Sequence, residues 1–285
     1  MKEKMIKYPF LLCAFLSIIF LFGITITLFK EGLPLFKSVG VFEFIFGRSW
    51  HPTHEPPEFG ILPLILGSLW VTAGALIVAV PLGIGSALYI SQLAHPKLRE
   101  FLKPTIELLA SVPSVIYGFF GMVFLAPLVQ KVFNLPVGLN CFTASLILGM
   151  MALPTITSIA EDAIAAVPRG LGEASFALGA TKWETITRTI LPAASSGIIT
   201  SVILGLGRAI GETMTVLMVA GGAAKIPESI FQPVRPMTAT IAAEMGEAPM
   251  GSLHYNALFA IGLVLFFVTL GFNLFADWIA HRKVR

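Results

Sequence analysis

Arg208 and Glu212 lie within an apolar run that extends from Ala193 to Ala224. Arg208 is fifteen residues beyond Ala193, which at a helical rise of about 1.5 Å per residue is roughly 23 Å along the axis. A charge that deep in lipid costs about 2.5–3.5 kcal/mol on the lower scales and is usually functional. The guanidinium offers a planar fork of donors that suits a tetrahedral oxyanion. Glu212, four residues on, shares the same helical face. Two readings stay open: the pair lines an anion path, or the two charges neutralise each other as a structural pair. A carboxylate at the site also accepts a hydrogen bond from an oxyanion that still carries a proton and repels one that does not. A second polar set, Glu107, Ser111, Ser114 and Tyr117 or Gly118, has the spacing of one helical face. It either lines the same path or bonds helices together, a common use of serine in membranes. Thr213, Thr215, Thr238 and Thr240 are further hydroxyl candidates.

Other chemistries lack their residues. There is no G-x-x-x-x-G-K-[ST] sequence, so ATP is not expected to bind through a P-loop in this chain. No H-E-x-x-H or C-x-x-C occurs. His51 and His54 lie near Glu55 and Glu58, but in a proline-rich segment with Pro52, Pro56 and Pro57 that offers no rigid metal scaffold. Cys13 and Cys141 both lie in apolar runs and read as buried thiols rather than a disulfide. The net charge of +3 carries no nucleic-acid signal.

The elements that must position these residues follow from composition. Of the 285 residues, 56% are hydrophobic and 12% charged, about half the charge of a soluble domain. Lipid must therefore be the solvent for most of the chain. Six apolar segments, Pro9–Phe29, Ile61–Leu93, Thr105–Gln130, Leu139–Ile164, Ala193–Ala224 and Asn256–Ala280, can each cross a hydrocarbon core of about 30 Å. The first is too long for a signal-peptide core and lacks a small-x-small cleavage site, so it reads as a retained span. Cations set the orientation. Lys2, Lys4, Lys7, Lys97, Arg99, Lys103, Arg169, Lys182, Arg188, Arg282, Lys283 and Arg285 fall on one side, expected to be cytoplasmic. Lys30, Lys37, Arg48, Lys131, Lys225 and Arg235 fall on the other. Both termini are thus expected inside. Proline and glycine interrupt the spans at Pro81, Pro113, Pro154, Gly207 and Gly211, among others. Irregular backbone at membrane depth is tolerated only against protein or water, so the spans are expected to surround a cavity.

Between the fourth and fifth spans runs a polar stretch, residues 167–192. A short helix is expected over Gly172–Leu178, stopped by Gly179, and a second from Thr181, whose hydroxyl and Glu184 three residues on form a capping box. Such a pair either lies on the membrane surface or fits a groove on a partner. Glu173-Ala174-Ser175, Gly179 and Leu191-Pro192 resemble the EAA loop of ABC importer permeases. Ser175 and Thr189 depart from that pattern, where Ala and an aliphatic residue are usual. The resemblance implies that Glu173, Ala174, Gly179, Leu191 and Pro192 belong to a coupling helix that docks into an ATPase subunit.

Two further stretches are similar to the phosphate-specific permeases of the PstC type. One runs from Pro81-Leu-Gly-Ile-Gly85 through Glu107-Leu-Leu-Ala-Ser-Val-Pro-Ser-Val-Ile-Tyr-Gly-Phe-Phe-Gly121. The other is Gly207-Arg-Ala-Ile-Gly-Glu-Thr-Met-Thr-Val-Leu-Met-Val-Ala-Gly-Gly222, followed by Met237-Thr-Ala-Thr-Ile241. The resemblance implies an all-α, six-span permease of the type I ABC importer fold in a bacterial inner membrane. Residues 1–60 would form a first span and outer loop, and 61–285 the importer domain with its coupling loop at 167–192. The substrate path would include Arg208, Glu212, Thr213, Ser111 and Ser114. The chain itself would be non-catalytic and hold no cofactor or metal. ATP and Mg would bind paired PstB-type subunits, with a PstA-type sister permease and a PstS-type phosphate-binding protein completing the importer. A permease for sulfate, molybdate or phosphonate is the nearest rival. A secondary anion transporter would need inverted repeats and more intramembrane carboxylates, and a membrane enzyme would need a catalytic cluster that the spans lack.

Overall fold

Backbone that crosses lipid must satisfy its own hydrogen bonds, and this chain does so with helices. The computed structural model describes residues 2–282 and, within that range, omits the side chains of 2–7, 276, 277 and 279–282. Lys283 and Arg285, counted above among the inner cations, lie outside the described residues, as do the side chains of Lys2, Lys4, Lys7 and Arg282. The order is α1 (Lys2–Gly32), α2 (Val41–Phe46), a hairpin of β1 (Trp50–His51) and β2 (Glu58–Phe59), then α3 (Leu62–Leu93) and α4 (Pro96–Ala110). There follow α5 (Ser114–Val132), α6 (Cys141–Ala165), α7 (Arg169–Ala177), α8 (Lys182–Ala193), α9 (Ser195–Gly211), α10 (Met214–Val219), α11 (Met237–Glu244) and α12 (Leu253–Arg282).

Among the described residues, five helical stretches are long and apolar enough to cross a bilayer: Tyr8–Lys37, α3, α5, α6 and Leu253–Phe275. The sixth crossing runs through α9, which is bent by 69° from the α8 that leads into it. Two expected spans are corrected. The third, Thr105–Gln130, is broken between Ala110 and Ser114. Pro113 lacks an N–H, and it disfavours helical backbone at Val112 before it. The fifth, Ala193–Ala224, ends as a continuous helix at Gly211 and resumes as α10 only at Met214.

The bundle closes around α6. It packs along α3, where a Cβ on Gly74 would lie 2.4 Å from Ser145 Oγ. It also packs along α9, where a Cβ on Gly205 would lie 2.6 Å from Ile156 Cγ1. Without a hydrophobic force between helices in lipid, such close approach is what gains dispersion contacts. Val71, Ala75, Leu148, Met151, Ala209, Val216 and Val219 form the buried centre. Helix α1 is exposed along most of its length, as a lipid-facing helix should be, and Cys13 is exposed on it, not buried. Its last turns dock on α12 through a T-shaped Phe29–Phe267 contact at 6.0 Å.

The proline-rich segment after α1 is not a loose solvated loop. Leu35, Phe44, Trp50 and Phe59 are buried against Ile61, Leu258 and Ile261. Its polar tip is also ordered: His51 bonds Glu58 at 3.2 Å and stacks on His54 at 4.6 Å. Among the described residues no three His, Cys, Asp or Glu side chains come together as metal ligands.

Candidate functional site: two helix breaks that meet at mid-span

Arg208 sits thirteen residues into α9, which starts at Ser195, so roughly 20 Å along the axis. Its Nη1 donates to Thr155 Oγ1 on α6 at 3.2 Å, and its Nη2 to the Ala110 carbonyl at 3.3 Å. Ala110 is the last residue of α4, so the guanidinium caps a helix C-terminus by taking a carbonyl that the helical ladder leaves over. The other side of that break is the start of α5 at Ser114, which has no side-chain cap.

The second break faces the first. Glu212 is extended (φ −69°, ψ 130°), and its carboxylate Oε1 accepts the N–H of Thr215 at 3.2 Å. The hydroxyl of Thr215, itself fully buried, donates to the Ser114 carbonyl at 2.9 Å. Thr238 at the start of α11 donates to the Glu212 carbonyl at 2.8 Å. Two broken helices are thus held against each other by side chains rather than by a helical ladder.

This arrangement corrects one premise. Glu212 does not lie one turn along the same helix face as Arg208, because α9 stops at Gly211. Among the described residues no ion pair joins the two, and the acceptors of Arg208 are neutral oxygens. The guanidinium keeps further N–H donors and its full charge. The polar set on α4 and α5 is likewise not one helical face. Ser111 bonds back to the Leu108 carbonyl at 2.7 Å, Glu107 is exposed, and Ser114 belongs to the break. Thr213 bonds back to the Gly211 carbonyl at 3.3 Å. The structure therefore gathers Arg208, Glu212 and Ser114 into one region and leaves Ser111 and Thr213 satisfied by their own turns.

The 167–192 loop carries the expected helices, with the first displaced to Arg169–Ala177. Gly179 adopts φ +85°, a backbone conformation that favours glycine. The Thr181–Glu184 capping box forms, and the Thr181 backbone N–H holds the Glu184 carboxyl below its usual range. Glu173 and Ala174 are exposed on α7, Pro192 is exposed on α8 and Leu191 half-buried. Phe176, Leu178 and Trp183 also face outward. The two departures from the EAA pattern touch each other: Thr189 Oγ1 lies 3.4 Å from Ser175 Oγ, which in turn lies 2.9 Å from Thr185 Oγ1. Each hydroxyl gives the other a partner that Ala and an aliphatic residue would not need.

Two charged clusters went unrecognised in the sequence. Near the loop end, the buried Glu161 of α6 pairs with Arg99 at 2.6 Å and Lys103 at 2.7 Å, both on α4. Lys103 also holds Asp162 at 2.6 Å, and that bond, with Glu161 behind it, raises its pKa above the ordinary 10.5. At the hairpin end, Glu244 receives the Trp50 indole N–H at 3.1 Å, Arg235 at 2.6 Å and His254 at 2.9 Å. Thr155, the acceptor of Arg208, was also missed; its one signal is the mid-span Pro154 beside it.

Comparison with known proteins agrees with this architecture. Residues 79–285 match the model of the family described as binding-protein-dependent transport system inner membrane component. The chain is 39% identical over 273 residues to the probable ABC transporter permease protein YqgH of Bacillus subtilis, covering 95% of this chain and 88% of that one. It is 38% identical to the phosphate transport system permease protein PstC of Mesorhizobium japonicum, covering 90% and 83%. It is 37% identical to the PstC protein of Haemophilus influenzae, covering 94% and 89%. A bacterial alginate ABC transporter has a chain that superposes with a TM-score of 0.69 over 99% of this chain and 96% of its own, at 18% identity. The MetNI methionine ABC transporter gives 0.58 over 79% and 95%, at 20% identity. These structures establish the type I ABC importer permease fold, and the sequence relatives the family. The chain belongs to the binding-protein-dependent transport system inner membrane components.

Proposed function

We propose that this chain is the membrane-spanning permease of an ATP-driven phosphate importer. One observation carries the choice of an anionic cargo: among the described residues the Arg208 guanidinium is bonded to a hydroxyl and a carbonyl and to no carboxylate, and it has further donors where two helix breaks meet. A charge held without a counter-charge at membrane depth is costly and is retained for function. Phosphate is favoured over other oxyanions by the relatives named PstC.

The remaining assignments rest on this reading. Arg208, Glu212 and Ser114 face the path, with Thr213 and Ser111 at its margin. The exposed α7 face with Glu173 and Ala174, the turn at Gly179, and Leu191-Pro192 at the bend form the coupling element for an ATPase. The chain is a non-catalytic subunit, and ATP and Mg belong to paired PstB-type partners. A PstA-type sister permease and a PstS-type phosphate-binding protein complete the importer. Both termini and the 167–192 loop are cytoplasmic. Residues 1–60 are a first span and outer segment added to the importer domain 61–285.

The test is uptake of labelled phosphate by vesicles carrying this chain with its sister permease, ATPase and binding protein. Uptake that needs ATP, resists excess sulfate and fails in Arg208→Gln despite normal assembly is expected. Uptake that survives the substitution removes Arg208 from the path; sulfate uptake in place of phosphate keeps the permease and overturns the cargo.

A further inference from the structure

The hydroxyl of Thr155 stands out among the span threonines by what it does not do. Thr25, Thr157, Thr200 and Thr269 each donate to a carbonyl one turn back, at 2.8–2.9 Å, the usual way for a helical threonine to satisfy its O–H in lipid. Thr155, half-buried, makes no such bond: among the described residues its Oγ1 accepts from Arg208 and donates to nothing. A hydroxyl has one donor and room for two acceptor bonds, so the Arg208 bond leaves the proton available. Thr155 therefore presents an unused O–H beside the remaining N–H donors of Arg208. Its β-branched side chain also has restricted rotamers.

Resting on the reading of Arg208 as the anion site, we infer that Thr155 is a second anion-binding residue: its Oγ1 accepts from Arg208 and its O–H donates to an oxygen of the bound oxyanion. A donor of this kind suits any tetrahedral oxyanion and serves phosphate and sulfate alike, so it sets affinity rather than choice between them.

Equilibrium binding of labelled phosphate to the purified, assembled importer, with the binding protein left out, tests this. Thr155→Val keeps the side chain's shape and removes the hydroxyl. It is expected to weaken binding by at least about tenfold, the loss of one hydrogen bond to a charged group. Thr155→Ser is expected to stay within about threefold of wild type, and elution of both variants as intact complexes controls for folding. Equal binding by Thr155→Val and wild type overturns the inference, as does a Thr155→Ser variant as weak as Thr155→Val. A second comparison separates direct donation from mere positioning of Arg208. On an Arg208→Lys background, which keeps a charge without the fork, Thr155→Val should still weaken binding by about threefold. No further loss there means Thr155 acts only through Arg208, and the donation is refuted. If the wild-type complex binds labelled sulfate but not phosphate, the cargo assignment fails and the same variants are read with sulfate. If it binds neither, there is no anion site for Thr155 to serve.

Discussion

Removing either side of the Glu161 cluster should give unequal losses, and the exposures fix the order. The Glu161 side chain is 2% exposed, whereas Arg99 and Lys103 are 39% and 33% exposed. Arg99→Leu with Lys103→Leu strands a carboxylate inside the protein, a change that costs about 3–5 kcal/mol. Glu161→Gln is different. It keeps the shape and an acceptor oxygen, and the cations it abandons still reach water, with Lys103 also holding Asp162 at 2.6 Å. Its cost is about 1 kcal/mol, because solvent screens what remains. The gap of about 2–4 kcal/mol corresponds to roughly 3–7 °C in melting temperature for a chain of this size. The assay is thermal melting of the detergent-purified complex, with every variant scanned at one rate because membrane complexes unfold irreversibly. A triple variant with leucine at all three positions should recover to within about 1 kcal/mol of wild type, since a buried pair can be exchanged for packed apolar groups. The Asp162 and Glu161 bonds raise the Lys103 pKa. Their contribution is therefore fully present below the unfolded value near 10.5 and disappears only as pH rises through the folded value. If Glu161→Gln melts as low as the double variant, burial is not what sets the cost and the reasoning fails.

Two other substitutions probe packing. Gly205→Ala places a Cβ 2.6 Å from the fully buried Ile156 and should destabilise the complex by about 1–3 kcal/mol. Adding Ile156→Val should recover part of that loss, and additive melting shifts would show that the two do not touch. Ser175→Ala and Thr189→Val should each cost up to about 1.5 kcal/mol by leaving a hydroxyl short of a partner. The double variant should cost less than their sum, read as melting temperature and ATP-dependent uptake together; strict additivity would refute the pairing.

How much of this was legible in the sequence depends on whether a feature is local. The spans were legible because long apolar runs have few other uses, and the Thr181–Glu184 cap because its bonds close within four residues. Arg208 stood out because a charge interrupts an apolar run. The relation of Arg208 to Glu212 was misread because helical spacing presumes an unbroken helix, and the resumption at Met214 follows from contacts with α5 and α11. The stripe through Glu107 and Ser114 failed for the same reason at Pro113, whose effect could have been anticipated. The Glu161 and Glu244 clusters join residues 62 and 194 positions apart, a distance at which a single sequence carries no signal. The outer segment was underestimated because its prolines suggested a solvated loop, while Phe44, Trp50 and Phe59 carry its folding.

The breaks at Ser111–Pro113 and Glu212–Thr213 explain one another. Each frees backbone groups that lipid cannot satisfy, and side chains meet several of them, some from another helix and some from the break itself. Arg208 takes the Ala110 carbonyl, Thr238 takes the Glu212 carbonyl, and the Glu212 carboxylate takes the Thr215 amide. A continuous helix would hold these groups in a cooperative ladder whose rupture is costly. Bonds made by single side chains can be exchanged one at a time, each worth about 0.5–1.5 kcal/mol when a new partner replaces the old. An oxyanion reaching Arg208 brings acceptors of its own, so it can take over N–H donors that now hold Ala110. On the proposed reading of Arg208 as the anion site, the residue that attracts the anion is also one that fixes the α4–α5 break. On that proposed reading, occupancy and the geometry of the break would be coupled through a single guanidinium, with no separate sensor required.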